Sequence, residues 1–155
     1  TLLIIIALTN NSFSAGTSSD SSDSSSNYTK AKNLIKAAKK YEKKGKTEKA
    51  QKRYAKAQEL LLKSNKEKPL QADTLNYLGF TSRKLGDYKK GEAFYLQGLK
   101  IEPNHNGINE YLGELYIATN RMDLAKERLN ILKSCDCKEY EQLKKIVEGT
   151  KKSKY

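Results

Sequence analysis

The sequence predicts an all-α fold built from stacked helix pairs. Three observations point to it. First, the chain repeats: Leu78-Gly79 recurs as Leu112-Gly113, and at the same 34-residue offset Tyr88 falls on Met122, Gly91 on Ala125 and Tyr95 on Leu129. Second, Leu75, Leu78, Leu85 and Tyr88 form an apolar face at helical spacing. Third, helix-stopping residues separate the periodic stretches. Pro103 follows 100–102, and Asn104 to Gly107 supply turn chemistry before the next run. The chain has 155 residues with only two Pro and ten Tyr, which suits helices packed through Tyr. Helices are expected at 29–44, 47–66, 71–85, 88–101, 105–119, 122–134 and 138–149.

The copies can be aligned position by position. The third copy reads Asn109, Leu112-Gly113, Tyr116, then Ala125 and Leu129. The second reads Leu75, Leu78-Gly79, Ser82, then Gly91, Tyr95 and Pro103, with Gly86-Asp87-Tyr88 at the turn between its two helices. These residues resemble tetratricopeptide (TPR) repeats. The resemblance implies a right-handed TPR α-solenoid of about three helix-turn-helix repeats, at about 31–70, 72–105 and 106–137.

The first copy is offset by 41 residues rather than 34. Gly45 matches Gly86, Ala50 matches Gly91 and Tyr54 matches Tyr95, while Leu34, Ala37-Ala38 and Tyr41 fill the first-helix positions. Seven extra residues must therefore lie between Leu60 and Pro69, as two added turns of the second helix or as a longer loop. Small residues at Gly79 and Gly113, opposite Gly91 and Ala125, allow the two helices of a repeat to approach closely. One helix pair cannot bury its apolar face alone, so several must stack. Residues 138–149 place Tyr140, Leu143, Ile146 and Val147 on one face, as in a C-terminal cap helix. Together these segments make a 29–150 TPR domain, followed by a basic tail at 151–155.

The N-terminal residues are of another kind. Residues 2–8 are an uncharged apolar run, followed by small residues at Ser12 and Ser14. That is the pattern of a secretory signal peptide, assigned to 1–15 and truncated, with cleavage after Ser14 or Ala15. The alternative is a membrane anchor whose first half is missing. The chain begins at Thr1, so the lack of basic residues ahead of the run carries no information. Residues 16–28 are mostly Ser and are expected to be a disordered linker. Small exported TPR proteins of bacteria resemble this layout, which implies the periplasm.

Charged residues and low mean hydropathy (−0.80) exclude a polytopic membrane protein. The formal net charge is +12. Residues 30–68 hold 14 Lys plus Arg53 against four Glu, so this first hairpin accounts for +11 of it. Sequence-specific nucleic-acid readers favour Arg for bidentate contacts and aromatic residues for stacking. Neither is evident, so a sequence-specific nucleic-acid role is not expected. A Lys-rich face fits an anionic membrane surface or an acidic partner better.

Catalytic material is sparse. His105, the single His, lies in the turn Asn104-His105-Asn106, where a solvated or capping role is expected. There is no glycine-rich phosphate loop and no grouping of nucleophile, base and oxyanion donors. Neither cofactor nor metal is expected. Cys135-Asp136-Cys137 is the one reactive-looking motif. In an exported protein the pair reads as a disulfide pinning the turn before the cap helix. Free thiols, an intermolecular bridge and a redox role remain open.

The TPR resemblance implies binding in a concave groove lined by the first helix of each repeat. By that resemblance the groove residues are Asn76, Tyr77, Phe80 and Arg83 of repeat two, and Glu110, Tyr111, Glu114 and Ile117 of repeat three. Repeat one would add Ile35, Lys36 and Lys39. TPR grooves that clamp a C-terminal carboxylate carry several Lys, Arg and Asn on this face. Glu110 and Glu114 depart from that set and do not support a chaperone-tail ligand. The expected function is therefore a non-catalytic protein–protein interaction module or assembly adaptor, with a protein or peptide as partner. The alternatives are peripheral binding to an anionic surface through the first hairpin and thiol-redox work by the Cys-x-Cys pair.

Overall fold

The computed structural model describes residues 23–153. The signal-type segment 1–15, the first part of the linker and the last two residues of the tail lie outside the described residues. Seven helices follow in order: α1 (Asp23–Lys43), α2 (Thr47–Glu67), α3 (Ala72–Lys84), α4 (Tyr88–Ile101), α5 (Asn106–Ala118), α6 (Met122–Leu132) and α7 (Lys138–Val147). There is no strand among the described residues. Each consecutive pair packs as an antiparallel hairpin, and α2 on α3 and α4 on α5 join the hairpins into one array. α1 begins six residues before the expected start, so the end of the Ser-rich stretch is helical. The packed residues there include Asn27, whose amide donates to Glu67 Oε1 at 3.4 Å, and Tyr28, whose ring meets Tyr77 edge-on at 5.9 Å.

The seven residues that lengthen repeat one are two added turns of helix. α2 has 21 residues where α4 has 14. The α1–α2 interface is close because Ala31 and Ala38 on one helix, and Ala50 and Ala57 on the other, recur every seventh residue and are fully buried.

All three hairpin turns end their first helix in the same way. Gly45, Gly86 and Asn120 take φ of 68°, 88° and 59°, the left-handed conformation that terminates a helix. The next amide then reaches back: Asp87 N–H to Ser82 O at 2.9 Å, Lys46 N–H to Tyr41 O at 2.9 Å, and Arg121 N–H to Tyr116 O at 2.7 Å. Gly and Asn tolerate this region best, which is why both occur here. Asp87 also caps α4, its Oδ1 accepting Lys90 N–H at 3.0 Å.

The core has two connected parts. One lies among α1, α2 and α3 around Tyr54, Leu61, Leu75, Leu78 and Phe80. The other runs through α4, α5 and α6 around Tyr95, Ile108, Leu112, Leu115 and Ala125. Tyr111 packs against both. Tyr88 departs from the expected apolar face: it is exposed at the start of α4, before the helix meets its neighbours.

The small residues act as expected in repeat two and differently in repeat three. A Cβ on Gly79 would lie 2.4 Å from the Tyr95 ring, so α3 and α4 close only over a glycine. A Cβ on Gly113 would meet Leu143 of α7 at 2.6 Å. Gly113 therefore seats the cap helix rather than the second helix of its own repeat. Leu143 and Ile146 are the buried residues of α7.

Candidate peptide-binding groove

α1, α3, α5 and α7 line one side of the array and enclose a groove of about 890 Å³. Its floor is aromatic. Phe80 stands between Tyr54 and Tyr111, with ring centroids 5.8 and 5.2 Å away, and Tyr111 continues to Tyr95 at 6.5 Å. Such tilted and edge-on pairs add to the energy of burial itself. Burial raises the pKa of Tyr54, Tyr95 and Tyr111 above the ordinary tyrosine value. Nearby carboxylates add to it: Glu42, through a hydrogen bond, for Tyr54, and Glu110 for Tyr111. These phenols are neutral at physiological pH, and Tyr54 donates to Glu42 Oε2 at 2.9 Å.

Charges of both signs line the groove beside the aromatic floor. Lys39 Nζ lies 4.4 Å from the Phe80 centroid and 5.9 Å from that of Tyr111. Lys84 pairs with Glu42 at 2.9 Å, and Lys43 is also part of the lining. Ammonium groups over ring faces are attracted by the ring quadrupole. Asp73, Glu110 and Glu139 line the same groove, with Lys138 3.8 Å from Glu139, and Asn76, His105 and Gly107 complete it. His105 is the cap of α5. Its Nδ1 accepts Ile108 N–H at 3.2 Å, so the ring proton is on Nε2, which donates to Asp73 Oδ1 at 3.2 Å. Both ring nitrogens are thus engaged in holding the α3–α5 edge of the groove.

The expected groove residues divide into two sets. Asn76, Tyr77, Phe80, Glu110, Tyr111, Glu114 and Lys39 line the groove. Arg83, Ile117, Ile35 and Lys36 do not. Arg83 is 2% exposed and turns into the joint between α3 and α5. There its Nη1 donates to the Tyr111 carbonyl, and its Nη2 lies 3.6 Å from Glu114 Oε2. Gly91 makes the room, since a Cβ at that position would stand 2.9 Å from Arg83 Cγ. Ile35 is part of the core and Ile117 packs against it, while Lys36 points to solvent. Phe80 and Glu114 line the groove but are nearly closed off from solvent, at 1% and 2% exposed. They shape the floor, and the reachable rings are those of Tyr77 and Tyr111.

Several lining residues escaped the sequence reading. Asp73 and Lys84 lie one helical turn from Tyr77 and Phe80, a spacing that would have found them. Lys138, Glu139 and Gln142 come from α7, which was read as a solvating cap and not as a wall. Cys135 and Cys137 are joined as a disulfide in the turn ahead of α7, with Cα atoms 5.2 Å apart. That spacing lies within the usual range for a bridge. Among the described residues, no group of His, Cys, Asp and Glu could hold a metal ion, and no helix is long and apolar enough to cross a membrane.

Known proteins place this geometry. The tetratricopeptide repeat family profile matches residues 72–105, the α3–α4 hairpin and its following turn. No curated protein matches the chain. Among 47 solved chains that match is the first TPR of Spaghetti (RPAP3), described as bound to the HSP90 peptide SRMEEVD. The similarity spans 79% of this chain and 94% of that one, with a TM-score of 0.55 at 18% identity. Residues 72–105 thus match a tetratricopeptide repeat, and the chain has the fold of an all-α TPR solenoid, in which α1, α3 and α5 are the groove-lining first helices of three helix pairs.

Proposed function

We propose that the protein is an interaction module that holds an extended peptide segment of a partner protein in the groove of α1, α3, α5 and α7. The observation that carries this reading is the groove itself: about 890 Å³, with an aromatic floor and a lining that holds both lysines and carboxylates. Ligand-binding concavities have this make-up, a largely apolar lining with a few placed polar groups. A peptide offers alternating side chains and a polar backbone, so it can place an apolar residue against Tyr77 and Tyr111. A carboxylate of the peptide then falls near Lys43, and a basic group near Asp73. The solved TPR relative with a peptide bound supports the class of ligand. Glu110 and Glu114 under repeat three set this groove apart from one built for a terminal carboxylate.

The test is a selection of peptides from a displayed random library on the whole chain, followed by titration of the selected peptides. Tyr77→Ala and Lys43→Glu are expected to weaken binding roughly ten-fold or more, the scale of an interface hot spot. Leu96→Ala, on the exposed face of α4 outside the groove, should leave it unchanged. Unaltered affinity in both groove variants contradicts the reading. We also propose export of the chain, on the strength of the apolar run at 2–8 and the small residues at Ser12 and Ser14. Sequencing the mature N-terminus tests this, and a secreted product that still carries residues 2–8 contradicts cleavage.

A further inference from the structure

The groove does not hold the protein's excess charge. Its lining has four Lys against five carboxylates. The lysines of repeat one lie mostly on the outer surface, and one end of the hairpin combines them with exposed leucines. At that end α1 begins, α2 finishes its two added turns, and the 68–71 loop leads into α3. The bond from Asn27 to Glu67 ties the two helix ends together.

Two leucines mark this end. Leu70 is 60% exposed, more than any other large apolar side chain among the described residues. It also has φ of 61°, the left-handed region where a leucine costs about 1–2 kcal/mol and a glycine little. The other left-handed positions are Gly or Asn. A strained backbone that holds out an apolar side chain calls for an external reason. Leu62, on the outer face of α2, is 42% exposed, and Lys66 follows it one turn later on the same face. Lys63 and Lys68 are exposed beside them, and Lys32 lies over the Tyr28 ring at 5.1 Å on the neighbouring helix end.

We propose that this end of the first hairpin docks on an anionic lipid surface, with Leu70 and Leu62 entering the interface and Lys63, Lys66 and Lys68 meeting the headgroups. Apolar side chains rimmed by long, flexible ammonium groups suit a membrane interface. Each lysine near an anionic surface adds to the attraction, and the leucines add a part that salt does not screen. A nucleic acid would reward arginine and exposed stacking rings, and this end has neither.

Vesicle co-sedimentation of the full chain tests the proposal, using phosphatidylcholine vesicles with and without phosphatidylglycerol. Wild-type protein should bind the anionic vesicles and not the neutral ones. Leu70→Gly relieves the strained backbone and keeps the fold, and it should lower partitioning roughly ten-fold. Lys66→Gln with Lys68→Gln should lower it by roughly ten-fold or more. Leu70→Asn, which also tolerates the left-handed region, serves as a second folded variant and should behave like Leu70→Gly. Equal binding to neutral vesicles, no binding at all, or binding unchanged in these variants overturns the proposal. Retention on polyphosphate that Leu70→Gly leaves intact, without vesicle binding, assigns the charge to a soluble polyanion and also overturns it.

Discussion

Gly86 and Leu70 occupy the same backbone region with opposite consequences. At Gly86 the conformation closes the α3–α4 hairpin, and a side chain there is strained whatever the space around it. Gly86→Ala is expected to destabilise the protein by about 1–2 kcal/mol in urea denaturation. Leu70→Gly should do the reverse and raise the midpoint slightly, because the leucine contributes little burial. The glycines could be read from sequence, since a Gly-Asp-Tyr between two periodic runs has the chemistry of a turn. Leu70 could not, because nothing in the residue type announces a left-handed φ. Arg83 was misplaced for a related reason. Helical spacing puts it near Phe80, but it could not reveal the space that Gly91 opens beneath it. The Arg83–Glu114 pair is buried on both sides. Arg83→Ala should cost about 3–5 kcal/mol, since it strands a buried carboxylate. Arg83→Met combined with Glu114→Leu should cost much less than the single change. A double variant as unstable as Arg83→Ala would mean that shape, not charge, sets the cost.

At the scale of elements, helix positions were legible almost throughout because turns and apolar periods agree along this chain. The seven-residue insertion was also legible as a length, while its form as two turns of α2 came from continued packing of Leu61 and Ser64. What the sequence concealed was the second task of α7. It covers Leu143 against Gly113, and it lends Lys138, Glu139 and Gln142 to the groove. Gly113→Ala should therefore loosen α7 before the rest of the array. Hydrogen exchange should show amides of α7 losing protection while those of α3 keep theirs. Uniform loss of protection across α1–α7 would place Gly113 in the common core instead.

The whole molecule carries +12, concentrated in one hairpin, so its folded state repels itself. Raising salt should increase the urea midpoint until screening is complete. Alkaline pH acts through the tyrosines. Tyr28, Tyr54, Tyr95 and Tyr111 have folded pKa values raised by burial above the ordinary value of about 10. The unfolded chain releases those protons first as pH rises past that value. The stability they contribute is thus fully present below about pH 10 and is lost as pH climbs toward their folded values. Four of the ten tyrosinate signals should rise in a steep step together with loss of helical circular dichroism. All ten forming gradually with the helices intact would contradict the burial of these rings. The groove is also a property of this scale. Its residues come mainly from α1, α3, α5 and α7, up to about a hundred positions apart along the chain, and only the period that aligned Tyr77 with Tyr111 made part of it visible in advance. A peptide held in the groove would lie across those helices. The most direct test is an amide chemical-shift map of the isotope-labelled chain titrated with a selected peptide. Saturable shifts are expected at Lys39, Lys43, Asp73, Tyr77, Tyr111 and Glu139, with α2, α4 and α6 nearly unmoved. Shifts confined to α2, α4 and α6, with the concave residues silent, would contradict binding in the groove.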